Sequence, residues 1–384
     1  MLKHIFNSIN NRKTLLGVGP MSKNCVDAAV ETSIELNSPI MLIASRRQIE
    51  CEKHGGGYVN NWTTESFSKY VNKIKKNAKV ILCRDHGGPW QNYNEVNYRY
   101  NLKKTMNSAK DSYKADIDNN FKVLHIDTSI ELNNKKVSFK KSIDRLFELY
   151  EYCYSYSKKN NKDILFEVGT EEQSGSTSTF EELEDTLNEI KKGCYKLKLP
   201  FPNFIVIQSG TKVMERRNIG SFESHIRVSR ELPVEIQLIK NLEICKKYNI
   251  FMKEHNADYI NNDSIKLHPL LGIHASNVAP EFGVTETLAL LDVLEKEKLF
   301  KFKEEFIDIA FNSNKWEKWA INKKKLSKIE KAIICGHYVF TEQRVKDIKE
   351  ELNFILKNKN INLDVHLRQT IKKSILRYMR GFGH

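Results

Sequence analysis

The stretch VILCRDHGGPWQN, residues 80–92, opens with four apolar residues and then turns abruptly to an arginine, an acid, a histidine, two glycines and a proline. An unbroken apolar run marks a strand buried on both faces, the condition of a parallel sheet covered by helices. The glycines and proline mark a loop. Asp85 and His86 therefore stand at the end of a strand, where parallel α/β folds collect their chemistry. Whether this pattern recurs decides the fold.

It recurs. Eight strand candidates run from Thr14 (TLLGVGPMS), Pro39 (PIMLIASRRQ), Ala78 (AKVILCRDHGG), Phe121 (FKVLHIDTS), Asp163 (DILFEVGTEE), Asn203 (NFIVIQSGT), Asn249 (NIFMKEHNADY) and Ser264 (SIKLHPLLGIHASN). Between them, residues 64–78, 139–159, 179–197 and 234–249 repeat apolar residues at three- and four-residue spacing, the mark of helices with one buried face. Eight strand–helix rounds predict an α/β fold that closes into a (β/α)8 TIM barrel rather than an open doubly wound sheet. The first turn, GVGPMSKN, lacks G-x-G-x-x-G and a later acid, which argues against a dinucleotide fold. Beyond Pro280 there is no further proline, and helical patterns dominate over residues 286–311 and 341–358. The expected division is a barrel over residues 1–300 and a helical C-terminal extension over 301–384.

Composition excludes several function classes. Of the 384 residues, 40% are hydrophobic and 29% charged, enough apolar material for a large core. The net charge of +14 comes from lysines spread along helix-like segments such as 71–79 and 321–331, opposite apolar faces. That is a solvated helix surface, without the motif spacing or aromatic pattern of a nucleic-acid binder. The seven cysteines are scattered singly, as in cytoplasmic proteins. No signal-like segment and no run of about 18 apolar residues is present, so neither secretion nor a membrane span is expected.

Functional residue types fall where a barrel would place them. Ser45 and Arg46 follow strand two, Asp85 and His86 strand three, and His125 and Asp127 end strand four. Glu167, Glu171 and Glu172 lie at strand five, Gln208 and Ser209 at six, His255, Asn256 and Asp258 at seven, and His274 and Asn277 at eight. A ring of imidazoles and carboxylates suits a divalent ion, zinc first, with manganese, cobalt or nickel as alternatives. Singly, each has an ordinary reading: a satisfied structural histidine, or an aspartate capping a helix. Convergence at one rim is what points to a site.

The motifs GGGYVNNWT (55–63), RDHGGPWQN (84–92), LHIDTS (124–129), VGTEE (168–172), VIQSG (206–210) and EHNADY (254–259) resemble, in this order, the GatZ/KbaZ-type subunit associated with class II tagatose-bisphosphate aldolases. The stretch NSNKWEKW (312–319) is similar to the family's aromatic-rich segment after the barrel. The resemblance covers about residues 14–320. It implies a TIM barrel acting on a phosphorylated ketose by retro-aldol chemistry, as an aldolase or a C4 epimerase. Alternatively, it implies a noncatalytic subunit that stabilises a separate aldolase, or a homo-oligomer. It further implies Asp85 as the proton-transfer residue, Asp127 as a second acid/base or orienting group, and His86, Glu171 and His255 as metal ligands. Gln208 stands where related aldolases carry a ligand histidine. Ser45, Arg46, Tyr58, Ser209, Asp258 and Asn277 complete the set as substrate contacts, with phosphate expected on backbone N–H groups near Asn277, where residues 272–283 begin a helix. Residues 171–182 read as a lid leading to a helix capped by Thr179 and Glu182.

Overall fold

Eight parallel strands close on themselves. The computed structural model describes residues 2–132, 137–169, 179–222 and 234–384. The barrel strands are β1 (Leu15–Val18), β2 (Ile40–Ser45), β3 (Val80–Asp85), β4 (Val123–Asp127), β5 (Leu165–Gly169), β6 (Phe204–Val206), β9 (Phe251–Glu254) and β10 (Ala275–Val278). A two-stranded hairpin, β7 (Val213–Met214) and β8 (Arg217–Asn218), sits in the loop after β6 and is not legible in the sequence. β10 pairs with β1 to seal the ring, with Leu15 opposite Ala275 and Val18 opposite Val278. The longest register joins β2 to β3, from Ile40–Val80 to Ser45–Asp85.

Side-chain alternation explains both the apolar runs and the polar rim. Along β3, Val80 and Leu82 face the surrounding helices while Ile81 and Cys83 point into the barrel. Ile81, Cys83, Val123, Leu165, Phe204 and Ala275 fill the lower interior, and helix α1 (Leu2–Asn10) plugs the bottom with Ile5 and Ile9. Continuing that parity upward brings Asp85, His125, Asp127, Glu167, Lys253 and His255 inside. All seven cysteines are buried and free.

Two expected boundaries fail for local reasons. The eighth strand does not begin at Ser264. Asn261 accepts hydrogen bonds from Asp263 N and Ser264 N and starts helix α9 (Asn262–Leu271), and the strand is the short Ala275–Val278. Residues 286–311 are not one helix. α10 (Pro280–Lys296) ends near Lys298, whose φ is +57°, and α11 (Phe300–Asn312) starts afresh.

The C-terminal helices pack in two ways. α11, α12 (Lys328–Cys335) and α13 (Gln343–Lys357) share a core with α10 that contains Leu290, Leu294, Phe306, Val345 and Leu352. α14 (Leu363–Gly381) returns to the barrel, where Ile371, Ile375, Tyr378 and the following Phe382 join the main core against α2 (Lys23–Glu35). Each such buried apolar side chain stabilises by about 1.5–3 kcal/mol, whereas the half-buried Arg368–Glu31 and Lys372–Glu35 pairs at the edge of this contact add less. The Phe382 carbonyl accepts from Thr14 N at 3.1 Å, next to β1. Among the described residues, no helix is long and apolar enough to cross a membrane.

Candidate active site

The quoted loop is shaped by one close approach. His86 leaves β3 in the left-handed region, φ +46°, which a non-glycine residue adopts at a cost. Gly88 then presses on β4: a methyl group there would lie 1.4 Å from the Asp127 carbonyl oxygen. Arg46 holds the loop from behind, donating to Gly88 O at 3.0 Å while pairing with Glu50 and Glu95 at 2.7 and 2.8 Å. Fully buried and already paired, Arg46 is a strut and not the expected substrate contact.

Above it, Asp85, His86, His125 and His255 each offer an atom within 4.8 Å of the others. The Asp85 carboxylate lies 3.6 Å from His86 Nε2, His125 Nδ1 and His255 Nε2. His86 Nδ1 is 2.6 Å from Asp127 Oδ2, which also accepts from Gln91 Nε2 at 2.7 Å. A carboxylate behind one ring nitrogen leaves the other facing the cluster with its orientation set. Beneath, Glu167 Oε1 is 3.2 Å from His255 Nε2, and Lys253 Nζ donates to Glu167 Oε2 at 2.6 Å.

Charge in this cluster is balanced by position. Burial alone would raise the Asp85 carboxyl, but His86, His255 and His125 hold it well below the usual carboxylate range. Burial opposes charge on His86, yet Asp85 and Asp127 raise it to about 9. Burial likewise works against a charged Glu167, but Lys253 and the two neighbouring histidines bring it to about 2. His255 is lowered, chiefly by burial.

The donor set fits a divalent ion. Three imidazoles beside a carboxylate, with room for a further ligand, is the composition of catalytic zinc centres. His125 Nε2 and His255 Nδ1 are buried without hydrogen-bond partners. Gly169 gives His125 its room: a methyl group there would sit 2.7 Å from His125 Nε2.

The cluster opens into a cavity of about 330 Å³ lined by Ser45, Arg47, Gln48, Tyr58, Gln91, Tyr93, Asp258, Asn277, Lys318, Trp319 and Tyr338 among others. Of the expected site residues, it brings together Asp85, His86, Asp127, His255, Ser45, Tyr58, Asp258 and Asn277. Asn277 Nδ2 reaches Asp85 Oδ1 at 3.4 Å, and its Oδ1 is buried without a partner. Ser209 is turned away, donating to Glu254 at 2.6 Å, and Gln208 does not line the cavity. Glu171, with the expected lid, lies outside the described residues; the Thr179–Glu182 capping box is present. Trp62 packs on Phe67 and Tyr70 and is closed to a ligand. The helix N-terminus expected to hold phosphate is already filled, since Ala279 N and Glu281 N donate to Asp258 Oδ1 at 2.9 and 2.8 Å. His125 belongs to the cluster although the resemblance did not single it out, and strand parity with Asp127 is the signal that finds it.

A family model described as D-tagatose-1,6-bisphosphate aldolase subunit GatZ/KbaZ-like matches residues 6–198. No curated protein matches in sequence. Among solved structures, a probable tagatose 6-phosphate kinase from Sinorhizobium meliloti 1021 aligns at 15% identity with a TM-score of 0.75, covering 96% of this chain and 100% of that one. The fructose-bisphosphate aldolase of Campylobacter jejuni aligns at 12% identity with a TM-score of 0.54, over 99% of this chain and 93% of that one. At these identities the likeness is one of fold.

Proposed function

The chain belongs to the GatZ/KbaZ-like family of tagatose-1,6-bisphosphate aldolase subunits, and from that premise we propose that it is a metal-dependent enzyme of retro-aldol chemistry on a phosphorylated ketose. The observation that carries this reading is the convergence of His86, His125 and His255 on the Asp85 carboxylate in an open cavity. In it, His86, His125 and His255 hold a divalent ion, zinc before manganese, cobalt or nickel. That ion, when bound, supplies Lewis-acid stabilisation for the negative charge that develops on the ketose oxygens.

The protein's own groups do the rest. Asp85 takes the proton of the C4 hydroxyl as the C3–C4 bond breaks, giving an aldehyde and leaving the bonding electrons on the enediolate half. Return of the proton after the aldehyde re-adds by the same face restores the substrate; re-addition by the opposite face gives the C4 epimer. Asp127 holds His86 through Nδ1, and Lys253 and Glu167 fix His255 from below. Asn277 offers an amide to a substrate hydroxyl.

A second reading follows from membership of a family of aldolase subunits: a noncatalytic chain that supports a partner aldolase. Metal content with turnover separates the two. The expected result is about one divalent ion per chain, lost in His86→Ala and His255→Ala, with ketose-bisphosphate cleavage or C4 inversion abolished and the ion retained in Asp85→Asn. A chain that takes up no ion after reconstitution rejects the enzyme reading and favours the partner.

A further inference from the structure

Two cations face the cavity without a counter-ion. Arg47 comes from the loop after β2, and Lys318 from the single turn Lys315–Lys318 that follows α11. Among the described residues neither makes an ion pair, and Arg47 Nε is buried with no hydrogen-bond partner. A third cation is close: the Lys315 ammonium and the Arg47 guanidinium both lie against the Tyr93 ring, 4.4 and 5.2 Å from its centroid. Arg47 is half-buried and Lys318 exposed at the cavity mouth, whereas the cations sealed in the core are paired. Arg46 has Glu50 and Glu95, Arg84 has Asp116, and Lys253 has Glu167.

Holding like charges together costs free energy unless an anion arrives from outside. The strain is legible at Lys318, pulled down to about 7 by burial and then by Arg47 and Lys315. The residue as a whole keeps solvent exposure, so the missing carboxylate is the stronger sign of the two.

The cationic segment is also held in place. Trp319 O accepts from Glu215 N of the hairpin at 2.8 Å, and Trp319 Nε1 donates to the Tyr338 hydroxyl at 3.3 Å. Lys318 is thus delivered to the barrel mouth by a segment anchored on both sides, with its ammonium 4.2 Å from the Trp319 ring centroid.

We propose that Arg47 and Lys318 form the site for a phosphoryl group of the substrate, within the cavity that holds Asp85. A phosphomonoester dianion suits this cluster better than a monovalent carboxylate, because it offers two charges and three acceptor oxygens to a guanidinium fork and an ammonium. The site replaces the helix N-terminus that Asp258 has filled. The proposal rests on the ketose-phosphate reading for the identity of the ligand, while the site itself does not depend on the ion.

Isothermal titration with inorganic phosphate and with D-tagatose 1,6-bisphosphate tests it. Arg47→Leu and Lys318→Met are each expected to weaken both ligands about tenfold or more, the loss of a charge-assisted contact, with thermal stability unchanged. His255→Ala is expected to leave phosphate affinity intact. Phosphate binding by a chain that proves to hold no ion would remove the metal chemistry and support the anion site. Binding undiminished in both cation variants overturns the proposal, as does phosphate binding lost with His255→Ala alone. No detectable binding of either ligand at about 10 mM overturns it too.

Discussion

At Gly88 the chain passes so close to the Asp127 carbonyl that no side chain fits. Gly88→Ala forces the β3 loop away from β4 and with it the His86–Asp127 contact. The variant is expected to lose about 2 kcal/mol or more of stability in urea titration and to bind a divalent ion at least tenfold more weakly. The same parity separates adjacent residues throughout the rim. Arg46 and Arg47 look interchangeable in the sequence, yet one is sealed behind the barrel and the other faces the cavity. Asp85, His86 and His255 were legible because they follow apolar runs. Ser209 and Arg46 misled for the same reason: a polar residue at a strand end says nothing about which face it takes when its partner, Glu254 or Glu50, is remote or equally polar.

Among elements, β3 bears a charged residue on its outer face, beside the apolar Val80 and Leu82. Arg84 is fully buried and binds Asp116 of α5 (Leu102–Asp118) in a two-pronged contact at 2.6 and 2.8 Å, with further donations to the Ala44 and Ile49 carbonyls. Asp116→Ala strands that guanidinium in the core and is expected to cost about 3–5 kcal/mol by urea unfolding. Arg84→Met in the same background should recover part of the loss, since the lone charge is then gone. Strand and helix existence was readable wherever apolar runs were long. β10 was displaced because Ala-Ser-Asn-Val carries little hydrophobic signal, while the apolar Ile-Lys-Leu-His-Pro-Leu-Leu just before it belongs to α9. The β7–β8 hairpin is only two residues per strand, too short to leave a period.

Across the molecule, the joint between barrel and C-terminal helices is both apolar and titratable. His337 is 2% exposed, both ring nitrogens lack partners, and Gly283 of α10 packs directly on the ring. Burial, helped by the Lys318 charge, pulls its pKa from 6.5 to about 3. The folded chain therefore keeps His337 neutral where the unfolded chain takes up a proton. This contribution is complete above pH 6.5 and is lost as pH falls toward 3. Wild type is expected to lose about 2.5–3 kcal/mol from this group by pH 4.5, and His337→Leu to show a correspondingly flatter acid limb in thermal melts.

The closure of β1 against β10 has a further consequence during synthesis. Thr14 Oγ1 bonds the Ile273 carbonyl, and α2, seated on β2 and β3, receives its largest helical cover from α14. A nascent chain on the ribosome must expose the first strand as a bare edge until some 260 residues more have emerged. β1 is thus made well before the strand that covers its free edge, and slow translation lengthens the interval in which that edge stays bare.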